Sequence, residues 1–117
     1  MKIHFVRSGG FAGLRLEVDL DTATMGREQA FEIERLVSEA GFFELPSRQD
    51  AAGAGVDRFR YRVQVDSESL GAHAITTDEQ AASERLQPLL SRLSAIALQR
   101  LYGLRAGRTS DEEPPAS

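Results

Sequence analysis

Residues 3–20 read IHFVRSGGFAGLRLEVDL, two alternating apolar and polar stretches on either side of a glycine-rich segment. The alternation is cleanest from Leu14 to Leu20, where every second residue is leucine or valine and the residues between them are charged. A period of two is typical of a β-strand with one face on a core and one in water. The first stretch, Ile3 to Arg7, is the partner strand. Residues 8–13 are then the tip of a β-hairpin, and the tip holds a phenylalanine, Phe11.

A helix and a second pair of strands follow the hairpin. Apolar residues recur at helical spacing from about Arg27 to Glu39, and Gly41 is placed to cap the helix end. The segment 42–46 is apolar but ends in a proline, so we predict that it folds back onto the core instead of continuing the helix. A polar loop, 47–56, leads into another period of two with four inward positions. Those positions are Phe59, Tyr61, Val63 and Val65.

The C-terminal third predicts a weaker strand and a long helix. Residues 70–76 alternate less clearly because alanines occupy several positions. Thr77 and Gln80 have the spacing of a capping box, and apolar residues then recur at helical spacing as far as Leu101. Pro88 interrupts this stripe. Either a long helix kinks at Pro88 or the main helix begins near it, where the missing N–H costs little.

These elements, in the order ββαββα, predict an α+β fold: a four-stranded antiparallel sheet with both helices on one face. The length predicts one domain, residues 1–104, and residues 105–117 have nothing to bury and are expected to be disordered. If the first strand runs upward, the first helix must climb back to the same end before the third strand descends. The loop 47–57 is therefore predicted to emerge beside the tip 8–13, although the two are distant in sequence.

The composition excludes several classes of protein. The chain has 117 residues, a net charge of −4 and no cysteine, so a disulfide framework, a thiolate metal site and a cysteine nucleophile are impossible. The negative charge argues against a general affinity for nucleic acid or for an anionic membrane. The apolar run after Met1 is too short for a signal peptide, and no stretch reaches the length of a membrane span. We therefore expect a monomer in the cytoplasm, without a membrane or nucleic-acid partner.

No residues assemble into a catalytic or metal site in the sequence. The two histidines, His4 and His73, lie in separate predicted strands without a second ligand at metal-binding spacing. We interpret both as surface-facing strand residues. Ser8 lacks the glycine pattern of a nucleophile elbow, and the carboxylates lie on the solvated faces of the first helix and the second strand. The sequence therefore predicts neither an enzyme nor a cofactor, and no metal ion of the protein's own.

Arg58, Arg60 and Arg62 form the strongest basic pattern, at every second position of the third strand. The stripe gives an alternative function, a non-enzymatic module that binds nucleic acid. However, a period of two in charged residues is expected of any strand face in water. Glu17 and Asp19, on a neighbouring strand, are candidates to pair with these arginines at under ~1 kcal/mol each. We therefore prefer a solvated face and retain nucleic-acid binding as the second hypothesis.

Phe11 is the residue least well explained by folding alone. Its ring either curls back over the end of the sheet or inserts into a pocket of a partner. Burial in a partner contributes on the order of 1.5–3 kcal/mol, which is the scale of an interface hot spot. Asp57, at the end of the neighbouring loop, either terminates a turn or serves as an oxygen ligand to a metal ion that a partner holds.

Three segments together resemble the emfourin family, protein inhibitors of thermolysin-like and protealysin-like zinc metallopeptidases. They are RSGGFAG at 7–13, AGFFELP at 40–46 and DRFRY at 57–61. The resemblance extends over roughly residues 1–98, and the C-terminal extension after Leu101 lies outside it. It implies a small bacterial protein that blocks such a peptidase with two adjacent loops.

The resemblance also implies which residues touch the peptidase. Phe11 and Ala12 would enter the substrate-binding subsites, and Asp57 would bind the catalytic zinc of the target. The other residues of the implied surface flank these three in the sequence. They are Ser8, Gly9, Gly10, Gly13 and Val56.

Overall fold

The computed structural model describes residues 1–10, 15–48 and 58–112, with residues 104–112 described by their backbone only. This part of the chain has an α+β fold, and the predicted fold class is confirmed. A short 3₁₀ helix, Phe42–Glu44, is inserted after the first α-helix in the predicted order of elements. The strands and α-helices are β1 (Lys2–Gly9), β2 (Leu16–Asp21), α1 (Arg27–Glu39), β3 (Phe59–Ser67), β4 (Gly71–Asp78) and α2 (Gln87–Glu112).

The four strands form one antiparallel sheet in the order β2-β1-β3-β4. Every residue of β1 pairs with a residue of β3, and Phe5 lies between Val18 of β2 and Val63 of β3. At the β4 edge, the carbonyl of Ser47 accepts a hydrogen bond of 2.9 Å from the backbone N–H of Thr76. This contact covers part of an edge whose backbone groups would otherwise face water.

The hydrophobic core lies between one face of the sheet and the two α-helices. Apolar side chains from all four strands and both α-helices form a single buried cluster, so the helices pack on the same face. Each fully buried leucine, isoleucine or phenylalanine contributes about 1.5–3 kcal/mol. The largest fully buried apolar side chains are Ile3, Phe5, Ile33, Phe42, Val63, Val65, Ile75, Leu86, Leu89, Leu90 and Leu93.

The predicted bounds of α1 are confirmed, and so is the fold-back after it. Gly41 adopts a left-handed conformation with a φ of +61°, which ends the helix, and Phe42 is then buried in the core. The prediction that His73 faces the surface is wrong. This residue lies on the core side of β4, where its ring donates a hydrogen bond of 2.8 Å to the carbonyl of Leu45 and packs edge-on against Phe42.

Of the two alternatives for the last helix, the structure has the start near Pro88. Because α2 begins at Gln87, Pro88 lies in the first turn, where no backbone N–H is needed for the helix. The prediction of a capping box at Thr77 is wrong. The carboxylate of Asp78 instead accepts hydrogen bonds from the backbone N–H groups of Gln80 (2.9 Å) and Ala81 (2.8 Å), which forms a turn and not a helix.

The predicted disordered tail is only partly matched. The helical backbone of α2 continues to Glu112, so the prediction that disorder begins at 105 is wrong for residues 105–112. The apolar stripe ends near Leu101, but an established helix gains a hydrogen bond for each added residue without a new nucleation step. Residues 113–117 lie outside the described part of the chain, and the domain boundary at 104 stays a prediction.

Among the described residues, neither α-helix has the length and apolar content that a crossing of a membrane requires.

Candidate functional site

The two predicted loops start from adjacent positions at one end of the sheet. Gly9 at the end of β1 pairs with Phe59 at the start of β3. One residue further on, the N–H of Gly10 donates a hydrogen bond of 3.2 Å to the carbonyl of Arg58. The prediction that both loops leave the same end of the sheet is therefore confirmed for their bases. Gly10, the residue before Phe11, is thus hydrogen-bonded to Arg58, the residue after Asp57.

The structure describes only some of the predicted contact residues. Ser8 and Gly9 belong to β1, and Gly10 follows that strand. The other five lie outside the described residues, so their contacts stay predictions. These are Phe11, Ala12, Gly13, Val56 and Asp57.

Both glycines at the base of the first loop are required by the backbone. Gly9 has a φ of +84° and Gly10 a φ of +79°, values that residues with a side chain rarely adopt. A Cβ on Gly10 would lie 2.3 Å from the Phe59 ring, and a Cβ on Gly9 would lie 2.8 Å from the Arg58 carbonyl oxygen. The sequence showed a glycine-rich tip, but it gave no sign that an aromatic ring of β3 lies against it.

We expect Gly10→Ala to destabilise the fold more than the same change at Gly71. Gly71 has a similar φ, +82°, but nothing lies within 4 Å of its added Cβ, so Gly71→Ala measures the backbone strain alone, about 1–2 kcal/mol. At Gly10 the clash with Phe59 adds roughly another 1–3 kcal/mol. Urea unfolding of the two variants measures the difference. Equal losses would contradict the close approach of the Phe59 ring.

Phe59 is held from several sides at the loop base. Its N–H donates to the side chain of Glu79, and its carbonyl accepts a hydrogen bond of 3.0 Å from the N–H of Glu79. The guanidinium carbon of Arg7 lies 4.2 Å from the centre of the Phe59 ring, a cation–π contact. Tyr61 lies on the same face, and burial raises its pKa, an effect that the positive charge of Arg7 partly offsets. The tyrosine is therefore neutral near pH 7.

A buried ion pair anchors the residue that follows Asp57. The Arg58 guanidinium lies 3.4 Å from the second carboxylate oxygen of Asp78, and the two side chains are only 11% and 9% exposed. The prediction that Arg58 belongs to a solvated stripe is therefore wrong. Asp78 was not among the predicted site residues, although an aspartate at the end of a strand is a common start of a turn.

A family model described as Emfourin matches residues 5–94. The chain belongs to the emfourin family. Emfourins are inhibitors of metallopeptidases, so the family gives this protein a protease-inhibitor role and a protease as partner. No curated protein and no solved structure was found to match the chain.

The matched region of this emfourin contains both loops, three complete strands and β1 from Phe5 onward. It ends inside α2, so residues 95–112 of that helix lie outside it. The family match therefore covers the two loop bases joined at Gly10 and Arg58. The family match does not include residues 105–112, which were predicted to be disordered and are helical in the structure.

The open face of the emfourin sheet, away from the helices, divides into two charged regions. Glu17 and Asp19 of β2 contact His4 of β1 and not the arginines of β3, because β1 lies between β2 and β3. The predicted pairing of these carboxylates with the arginine stripe is therefore wrong. Arg60 and Arg62 are exposed and form no ion pair with any residue that the structure describes.

Within the described ranges, no group of histidine, aspartate and glutamate side chains is arranged to hold a metal ion. The geometry can offer a partner two closely spaced chain segments, each leaving a rigid sheet.

Proposed function

We propose that this emfourin inhibits a thermolysin-like, protealysin-like zinc metallopeptidase by placing both loops in its active cleft. Phe11, with Ala12, fills the subsites that bind apolar substrate side chains, and Asp57 binds the catalytic zinc. The protein itself performs no catalysis in this scheme. It acts as a reversible inhibitor, one molecule per peptidase.

The observation that carries this proposal is the hydrogen bond between Gly10 and Arg58. It joins the residues next to Phe11 and Asp57, so the first loop leaves, and the second loop enters, neighbouring strands of the sheet. Neighbouring strands are about 4.7–4.9 Å apart, which lets the two loops enter one cleft together. Several constraints act at this base, including the buried Arg58–Asp78 pair, and a preorganised base reduces the entropy lost on binding.

The proposed chemistry follows from the open coordination position of a catalytic zinc. Such an ion has three protein ligands and binds a water molecule that attacks the peptide bond. A carboxylate oxygen of Asp57 at ~2.0–2.2 Å from the zinc would displace that water. Hydrolysis then stops because its nucleophile is missing, while the inhibitor is held by Phe11 in the neighbouring subsite.

A titration tests the proposal directly. A thermolysin-like peptidase at a fixed concentration is mixed with increasing amounts of the protein, and cleavage of a fluorogenic peptide is followed. We expect activity to fall to zero near equimolar protein when the peptidase concentration exceeds the inhibition constant. A serine peptidase in parallel should keep its activity, since it has no catalytic zinc. Full activity of the metallopeptidase at a large excess of protein would reject the proposed function.

Phe11→Ala should weaken inhibition by about tenfold to a hundredfold, because the variant loses about 1.5–3 kcal/mol of apolar burial in the complex. Phe31→Ala is the matched control. Phe31 lies on α1 and is 69% exposed, so the same truncation there removes an equally apolar ring from a site away from the loops. Inhibition constants of both variants are compared with the wild type. Similar inhibition constants for the two variants would show that Phe11 does not enter a subsite.

A further inference from the structure

Charge is distributed unevenly between the two ends of the sheet. At the loop end, Arg7, Arg60 and Arg62 form no ion pair with any residue in the described part of the chain. The carboxylates described at that end offset only part of this charge: Asp78 pairs with Arg58, and Glu79 keeps its negative charge while it accepts a hydrogen bond from the N–H of Phe59. Among these six side chains the four arginines outnumber the two carboxylates, although the chain as a whole has a net charge of −4.

The opposite end of the sheet carries charges of both signs. Three carboxylates lie at the turns after β2 and β3, Asp21, Asp66 and Glu68. Lys2 lies between two of them, paired in register with Asp21 on one side and Asp66 on the other, and Arg27 begins the helix at this end. The excess of positive charge is thus confined to the loop end.

Arg60 and Arg62 lie beside the first loop on the open face. Arg60 is opposite Ser8 and Arg62 is opposite Val6, so the neighbouring side chains on β1 are short. Residues two apart on a strand are separated by about 6.6–6.8 Å, and the two guanidinium groups form a short positive strip that leads away from the loop base. Asp78 of β4 is opposite Arg60 in register, but its carboxylate pairs with Arg58, and neither Arg60 nor Arg62 forms an ion pair with a described residue.

We propose that Arg60 and Arg62 bind an acidic surface beside the active cleft of the target peptidase and speed the approach of the loops to the cleft. This inference rests on the proposed function, since the strip is continuous with the loops that function assigns to the peptidase. A planar guanidinium group binds a carboxylate with two parallel hydrogen bonds, which matches an acidic protein surface. The excess of positive charge at the loop end turns the loops toward such a surface before contact.

Exposed charges of this kind act mainly on the association rate. Complementary charges raise the rate of encounter, and added salt removes the effect because it screens the attraction. The rate of dissociation depends more on buried contacts such as that proposed for Phe11. The inference therefore predicts a specific kinetic pattern, a lower association rate with an almost unchanged dissociation rate.

The test compares two double variants that remove the same charge from opposite ends of the sheet. Arg60→Gln with Arg62→Gln removes the strip, and Lys2→Gln with Arg27→Gln removes two exposed cations from the turn end. Association and dissociation rates with the peptidase are measured by surface plasmon resonance at about 0.02 M and about 0.5 M salt. We expect the strip variant to associate about tenfold more slowly at low salt, with the difference lost at high salt.

Each result gives a separate decision. Slower association of the strip variant alone, and only at low salt, supports the inference. Equal association rates for the two double variants would overturn it, even where both inhibit. If the strip variant instead loses salt-dependent retention on single-stranded DNA and associates normally with the peptidase, the arginines bind nucleic acid and the inference is wrong. A wild type that neither binds nor inhibits the peptidase would contradict the proposed function itself.

Discussion

Asp57→Ala should weaken inhibition of a zinc metallopeptidase at least about thirtyfold without unfolding the protein. Removing one member of a desolvated charge pair at an interface costs about 2–5 kcal/mol, and in the proposed complex the remaining member is a divalent metal ion. The variant also lets a water molecule return to the zinc, so residual hydrolysis is expected within the complex. Inhibition constants measured with a fluorogenic peptide give the size of the effect.

Two further variants test whether the loss at Asp57 comes from zinc binding. Asp66→Ala removes an exposed aspartate at the turn end of the sheet and should leave inhibition unchanged. Asp57→Asn keeps the size of the side chain but makes it a poorer zinc ligand, so we expect it to resemble Asp57→Ala. If Asp57→Asn inhibits as well as the wild type, Asp57 is not bound to zinc. Thermal melts of all three variants show whether the fold is intact.

Asp78→Ala should reduce the free energy of unfolding by about 3–5 kcal/mol, the largest loss of stability that we expect from a single change at the loop base. The substitution leaves the buried Arg58 guanidinium without its counterion, and an unpaired buried charge is costly. It also removes the acceptor of the N–H groups of Gln80 and Ala81. Urea or thermal unfolding measures the loss.

Graded controls show which of these contacts matters. Asp78→Asn keeps an oxygen for the two N–H groups but removes the charge, so its loss should be smaller than that of Asp78→Ala. Asp19→Ala removes a carboxylate whose side chain is 80% exposed, and it should cost under about 1 kcal/mol. Asp78→Ala with a loss as small as that of Asp19→Ala would mean that the Arg58–Asp78 pair does not stabilise the fold.

Much of the fold was predictable because local patterns determine it. The period of two in β2 and in β3 defined which faces meet the core, and α1 was predicted with its observed bounds because an apolar stripe and Gly41 coincide. The direction of the chain was enough to place both loops at one end. These features depend on patterns among residues that are close together in the chain, and such patterns can be recognised in a single sequence.

The parts that were missed depend on contacts between distant residues. The order of strands places β1 between Glu17 and the arginines of β3, and no local pattern contains that information. The burial of Arg58 requires Asp78, which lies 20 positions away in the sequence. The same holds for the contact of Gly10 with Phe59. The candidate site was therefore predicted as a pair of loops, while the supports beneath them became visible only in the folded chain.

The hydrogen bond between Gly10 and Arg58 has a consequence for protein engineering. It closes the sheet where the first loop begins and the second loop ends, so the stability of the scaffold and the contents of the loops are separate problems. Other sequences of matching length could be grafted between residues 10 and 15 and between residues 48 and 58 while this junction is retained. A library of such grafts would turn the same small domain into a display framework from which binders of unrelated clefts can be selected.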